Sequence, residues 1–297
     1  MKHHEMSYLY DAPGPRAIRM TRLASALSAV VLLGVLGLAL WQFASHGQLD
    51  ADRWLPFLSW DIGRYLLVGL LGTLQAAAAS AVLAFPLGVL LALGRTSTVR
   101  VLRWFATAFI EAFRAIPVLL LIYVMLFALP RYGFNPDVLW KLVIPLTIAN
   151  SAAIAEIVRA GVLSLPRGQL EAGLSLGLRR YQVTRSVVLP QALRNVTPSL
   201  VSQLVSLLKD TSLGYVVAFT ELLYRAQVLT SFNRLLIQTY IVVTVVYLIV
   251  NGSLSRFARH LRERADAEDP AAVVPGAPVA PPTTEPHPPA AVTTQER

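Results

Sequence analysis

Three clusters of charged residues lie inside otherwise apolar stretches of this chain. They are Glu111 with Arg114 ahead of Pro117, Lys209-Asp210-Thr211-Ser212, and Glu156 with Arg159. Residues three apart on a helix share a face, so Glu111 can meet Arg114 and Glu156 can meet Arg159. Pro117 has no N–H to donate to the carbonyl of Phe113, so a helix through this stretch should kink or unwind. The 209–212 group joins both charge signs to two hydroxyls, and Asp, Thr and Ser are helix-capping types, with Gly214 following. A helix broken there and restarted offers free N–H groups that suit a carboxylate. Together these residues suit a solute path: Lys209 or Arg114 attracts carboxylates and Asp210 attracts an ammonium. The competing reading for Glu111–Arg114 and Lys209–Asp210 is a structural ion pair that fixes helix packing. Glu156–Arg159 reads as a structural or gating pair. Asn150 and Gln203 read as interhelical glue, and Gly69, Gly72, Ala76 to Ser80 and Gly88 as close helix packing. No catalytic residue is assigned.

The elements that must carry these residues are membrane helices. The chain has 297 residues, 55% hydrophobic and 14% charged, where a soluble domain carries about 25% charged. Six apolar segments emerge: Leu23–Phe43, Tyr65–Leu93, Trp104–Leu129, Leu139–Val162, Leu200–Leu223 and Leu235–Leu254. Each reaches the ~20 residues that cross ~30 Å of hydrocarbon as a helix, and helices satisfy their own backbone in lipid. The expected fold is therefore an all-α membrane protein of about six transmembrane helices. The first segment is longer than a secretory signal and reads as a true span or uncleaved anchor. A charge at the bilayer centre costs about 2.5–3.5 kcal/mol, so Lys209 and Asp210 must face protein, water or solute.

Basic residues alternate between connecting segments. Arg16, Arg19 and Arg22, then Arg95, Arg100 and Arg103, then Arg167 to Arg194, then Arg256 to Arg264 mark one side, and the other connections are poorer. This positive-inside pattern places both termini in the cytoplasm. The net charge of +9 is then a topology signal, and nucleic-acid binding is not expected. There is no cysteine, and His3, His4 and His287 are too scattered to hold a metal. The expected organisation is a cytoplasmic tail at 1–22, a first helix at 23–43, an extracytoplasmic loop at 44–64 and a membrane domain at 65–256. A cytoplasmic tail follows at 257–297, Pro/Ala-rich and disordered from about 265.

Residues 163–198 form a polar, basic block. Leu170, Leu174 and Leu178 recur every four residues as one apolar stripe on a short helix. Gly177 should weaken or bend that helix, and Pro190 should mark a boundary. The result is a helix-turn-helix with an apolar ridge and a basic flank. The pattern alone fits a solvated loop helix packed on its own bundle as well as it fits a docking surface.

Glu171-Ala172-Gly173, Gly177 and Val188-Leu189-Pro190 resemble the "EAA" loop of ATP-binding-cassette importer permeases, with Gly173 in place of the second alanine, a change expected to loosen the helix. "VLPQALR" at 188–194, "LLKDTSLG" at 207–214 and "FIEAFRAIPVLLL" at 109–121 resemble the polar-amino-acid branch of that family, though Arg114-Ala115-Ile116-Pro117 departs from the branch's Arg-Gly-Thr-Pro. "YDAPGPR" at 10–16 and "KDTSLGYVVAFTELL" at 209–223 resemble a subunit of bacterial glutamate importers. The resemblance implies a five-helix type I permease core plus one N-terminal helix, in the bacterial cytoplasmic membrane. It implies that Glu171, Ala172, Gly173, Leu174, Gly177 and Leu178 form a coupling helix for a cytoplasmic ATPase dimer, with Glu171 anchoring the loop by local hydrogen bonds. ATP and Mg would sit on that partner. The lysines here are Lys2, Lys141 and Lys209, and none follows a glycine, so the chain has no phosphate-wrapping Gly-Lys-Ser/Thr loop. A second permease subunit (a heterodimer, with a homodimer as alternative), an extracytoplasmic solute-binding protein and an amino acid such as glutamate, aspartate or glutamine complete the implied system. The rival expectation is a secondary amino acid transporter driven by an ion gradient.

Overall fold

Long helices dominate here, and they carry Pro86, Pro145 and Pro198 within them. The computed structural model describes residues 14–267 and, among them, every regular element is helical. The N-terminal run, basic in its first turns at Arg16, Arg19 and Arg22 and apolar after them, forms α1 (Pro15–Ser45), opened by Pro15, whose missing N–H costs nothing at a helix start. A short α2 (Ala51–Trp54) and a 3-10 turn lead to α3 (Trp60–Arg95). With 36 residues at ~1.5 Å each, α3 is longer than the hydrocarbon layer and must project from it. Then follow α4 (Arg100–Ala115), α5 (Val118–Tyr123), α6 (Val138–Ser164), α7 (Arg167–Ser175), α8 (Arg180–Val183), α9 (Leu189–Asp210), α10 (Leu222–Asn233) and α11 (Leu236–Ala267).

Four of these are long and apolar enough to cross a membrane: Ile18–Ser45, Trp60–Arg95, Val138–Ser164 and Leu236–Phe257. Arg100–Ala115 and Val118–Tyr132 make a fifth when counted as one span, bent by 97°. The bend falls where Pro117 predicts it, with Ile116 in an extended conformation. The segment Leu200–Leu223 is not the uninterrupted span that its hydropathy suggests. Its first half belongs to α9, which ends at Asp210; a 3-10 turn (Thr211–Val217) and a left-handed Ala218 reverse the chain into α10. At 22 residues α9 still measures ~33 Å, but polar residues such as Gln191, Arg194, Asn195 and Gln203 keep it outside the apolar set. The last helix runs past the boundaries at 256 and 265 as far as Ala267. The expected disordered tail beyond that point, the first residues of the N-terminal tail, and His3, His4 and His287 lie outside the described residues.

The two extremes of burial locate the core. The apolar window of α6 is 56% buried, and that of α1 is wholly exposed. So α6 is central, packed by α3, α4 and α9, and α1 is peripheral. Ala84, Leu91 and Ala92 of α3, Ala106 and Ile110 of α4, and Ile154, Ala155 and Val158 of α6 form one buried cluster. Two glycines permit the closest approaches. A Cβ at Gly88 would lie 2.9 Å from the Ser151 carbonyl of α6, and one at Gly72 would lie 2.7 Å from the Thr220 carbonyl beside α10. The reading of these positions as helix-packing sites fits that geometry. Gln203 of α9 donates to Asn150 of α6 at 2.8 Å, an interhelical link of the kind expected for amides in a bundle.

Candidate functional site

The connection from α6 to α9 is a built element. Only Leu165 and Pro166 separate α6 from α7. Gly177 does not sit within the helix, as the leucine spacing suggests, but stops it. Its φ is +79°, its N–H donates to the Leu174 carbonyl at 2.9 Å, and the Leu178 N–H donates to the Gly173 carbonyl at 3.3 Å. This paired pattern is a Schellman cap, which favours glycine because the left-handed region strains other residues. The helix therefore ends at Ser175, and Leu178 lies beyond it. Gly173 does not loosen the helix either. A Cβ there would meet the Val183 side chain at 2.6 Å, so glycine lets α7 rest on buried Val183. Pro190 marks a change of winding and not a break in the chain's helical path, standing in the first turn of α9. A π-turn (Thr184–Val188) absorbs its missing N–H and runs on into α9.

The other face of this loop is open. Leu174, Leu176, Leu178 and Tyr181 are exposed, Leu176 by 82%, and Ala172 is exposed beside them. The Glu171 carbonyl accepts from the Ser175 hydroxyl at 3.0 Å. Its carboxylate makes no hydrogen bond among the described residues, so the expected local anchoring rests on backbone only. Glu171 lines a cavity of about 650 Å³ with Arg95, Arg159, Gln169 and Arg180.

Two residues of that lining, Arg95 and Arg159, belong to a chain of ion pairs. Arg95, the last residue of α3, donates from Nη2 to Glu111 Oε1 at 2.7 Å and from Nη1 to Glu156 Oε2 at 2.9 Å. Arg159 donates to Glu156 Oε1 from Nε at 3.1 Å and also from Nη2. The predicted Glu156–Arg159 pair is present. The Glu111–Arg114 pair is not: Glu111 turns to Arg95, and Arg114 is exposed without an ion pair among the described residues. Arg95 is the member that helix spacing misses, because its partners are 16 and 61 residues away.

The 209–212 group is spread over several directions. Lys209 is exposed and Asp210 half-buried, with no ion pair between them, since successive helix residues point about 100° apart. Lys209 and Ser212 line a groove of about 580 Å³ against Tyr247 and Asn251 of α11. Thr211 is fully buried and donates to the Leu208 carbonyl at 2.7 Å. No ion pair or hydrogen bond among the described residues joins Lys209, Asp210, Thr211 or Ser212 to Glu111, Arg114 or Pro117, although their neighbours Leu213 and Val118 pack against one apolar cluster. The helix does break and restart here, but the restart is capped from within. Fully buried Glu221 accepts from the N–H groups of Leu223 (2.7 Å) and Tyr224 (2.6 Å) and from the Tyr247 hydroxyl (3.2 Å). The Leu222 N–H goes to Thr73 of α3 at 3.1 Å. The free donors expected for a solute carboxylate are taken. Glu221 ends an apolar run and is a poor N-cap type, and Thr220 just before it fits the usual signal better.

Comparison with known proteins agrees with this architecture. Residues 84–266 match the family described as "Binding-protein-dependent transport system inner membrane component". The glutamate transport system permease protein GluD of Corynebacterium glutamicum is 41% identical over 229 residues, covering 74% of this chain and 83% of that one. The probable glutamine ABC transporter permease protein GlnP of Bacillus subtilis is 38% identical over 203 residues, covering 67% of this chain and 93% of that one. Among solved structures, a crystal structure of an amino acid ABC transporter with histidines matches with a TM-score of 0.66 at 26% identity, covering 71% of this chain and 98% of that one.

Proposed function

Because the chain belongs to the family of binding-protein-dependent transport system inner membrane components, as a multi-pass amino acid permease of the cytoplasmic membrane, we propose that it moves glutamate, or the related aspartate or glutamine, at the expense of ATP split by a separate subunit. In this reading the chain forms part of the solute path with a second permease subunit and is itself no enzyme. An extracytoplasmic binding protein delivers the amino acid, and both chain termini are cytoplasmic. The glutamate and glutamine relatives support the solute class.

The observation that carries the reading is the loop from α7 to the π-turn. One face is locked onto its own chain by Gly173 against Val183, and the opposite face leaves Leu174, Leu176 and Tyr181 uncovered. A lone solvated loop has no need of a rigid apolar ridge. A groove on a cytoplasmic ATPase would cover it, and movement of that groove would pass through Leu165–Pro166 into α6. ATP and its Mg would stay on the partner.

The test is the substitution Leu176→Asp with Glu171→Lys. Leu176 is 82% exposed, so the chain should still insert and fold. ATP-driven amino acid uptake by the reconstituted complex should fall at least tenfold, with weaker co-purification of the ATPase. Unchanged uptake would remove the loop from the coupling role.

A further inference from the structure

One side chain joins three helices at the end of the bundle that carries the loop, and neither the motif nor the helix spacing points to it. We propose that Arg95 is the positioning residue that links the loop to the bent span; the inference rests on the ATP-coupled reading above and adds the route by which motion travels.

The route is continuous in the structure. Motion of α7 reaches α6 through Leu165 and Pro166. Glu156 stands about two turns before the end of α6. It is gripped by Arg95 at 2.9 Å, and the same guanidinium holds Glu111 of α4 at 2.7 Å. Six residues beyond Glu111 comes Pro117, where the chain turns by 97°. The ion pairs sit at the edge of the apolar cluster in which Ala106 and Ile110 of α4 meet Ala155 and Val158 of α6. The cluster holds the helices side by side, but apolar contacts are non-directional and permit sliding. A forked guanidinium with one carboxylate on each neighbour fixes their register. Arg159, bonded to the remaining oxygen of Glu156, orients that carboxylate toward Arg95. The groups paired with Arg95 are thus Glu111 from α4 and Glu156 from α6, with Arg159 bonded to the second, and Glu171 and Arg180 share its cavity.

A structural staple would be built the same way, so the test must separate position from stability. The complex of the full chain with its ATPase is reconstituted in vesicles, and amino acid moved per ATP hydrolysed is measured with glutamate as the probe. Arg95→Gln should lower that ratio at least tenfold. Arg95→Lys should fall between, because a point-like ammonium cannot span both carboxylates. Glu111→Gln should lower the ratio with the Arg95–Glu156 pair intact. If Arg95→Gln fails to assemble, Glu111→Gln decides alone, since Glu111 is 59% exposed and its loss leaves no buried charge unpaired. An unchanged ratio in Glu111→Gln, or variants that only reduce the amount of complex, would overturn the inference and leave the importer reading standing. A wild-type complex that hydrolyses ATP without moving any amino acid would sink both.

Discussion

The ion-pair chain around Arg95 and the corner around Glu221 are both polar clusters in an apolar bundle, yet they are built in opposite ways. In the first, charges of both signs come from three helices, and Glu111 is 59% exposed. In the second, a single carboxylate is fully buried and held by donors of its own corner and of α11. Exposed ion pairs contribute little to stability; their value lies in fixing one helix against another. A buried cap contributes to stability directly, because its loss strands donors away from water. The contrast separates residues that hold the fold from residues that place its moving parts.

Glu221→Ala should give the largest effect. It removes a cap and strands two backbone N–H groups, for a loss of about 3 kcal/mol, read as a drop in the thermal unfolding midpoint of the purified protein. Glu111→Gln should leave that midpoint within the range of an exposed pair, about 0.5 kcal/mol. Equal shifts in the two variants would erase the distinction between the clusters. Gly72→Ala should come next, at about 1–3 kcal/mol, because the new methyl would lie 2.7 Å from the backbone carbonyl of Thr220 and push α10 away from α3. Gly173→Ala should cost slightly less, since it presses on a side chain rather than on backbone. A second change, Val183→Ala, should restore much of the uptake it costs. Gln203→Leu should be as small as Glu111→Gln, at about 0.6 kcal/mol, measured by the same unfolding assay against Asn150→Leu and the double variant.

Much of this was legible in local pattern. Pro117 announced its bend, the glycines of α3 announced close approaches, and Glu156–Arg159 share one helical turn. What local pattern missed was the choice among partners. Glu111 had Arg114 within reach on its own helix, yet the bend and the packing of α3 brought Arg95 nearer. Leu200–Leu223 was apolar enough for one span, but Asp210, the 3-10 turn and the left-handed Ala218 fold it back. Hydropathy records composition and is blind to a reversal that buries its own polar groups. The loop is legible in its motif and not in its mechanics. Gly177 ends a helix that the leucine spacing would continue, and Gly173 serves contact with Val183 and not looseness.

The central claim is that this chain moves an amino acid only when an ATPase pushes on the α7 loop. Its most direct test is glutamate accumulation in vesicles holding the reconstituted complex, with ATP supplied or withheld and with the ATPase present or absent. The account predicts accumulation against a gradient only when ATP and the ATPase are both present, abolished by Leu176→Asp with Glu171→Lys. Accumulation by the chain alone, driven by an ion gradient and indifferent to those substitutions, would contradict it.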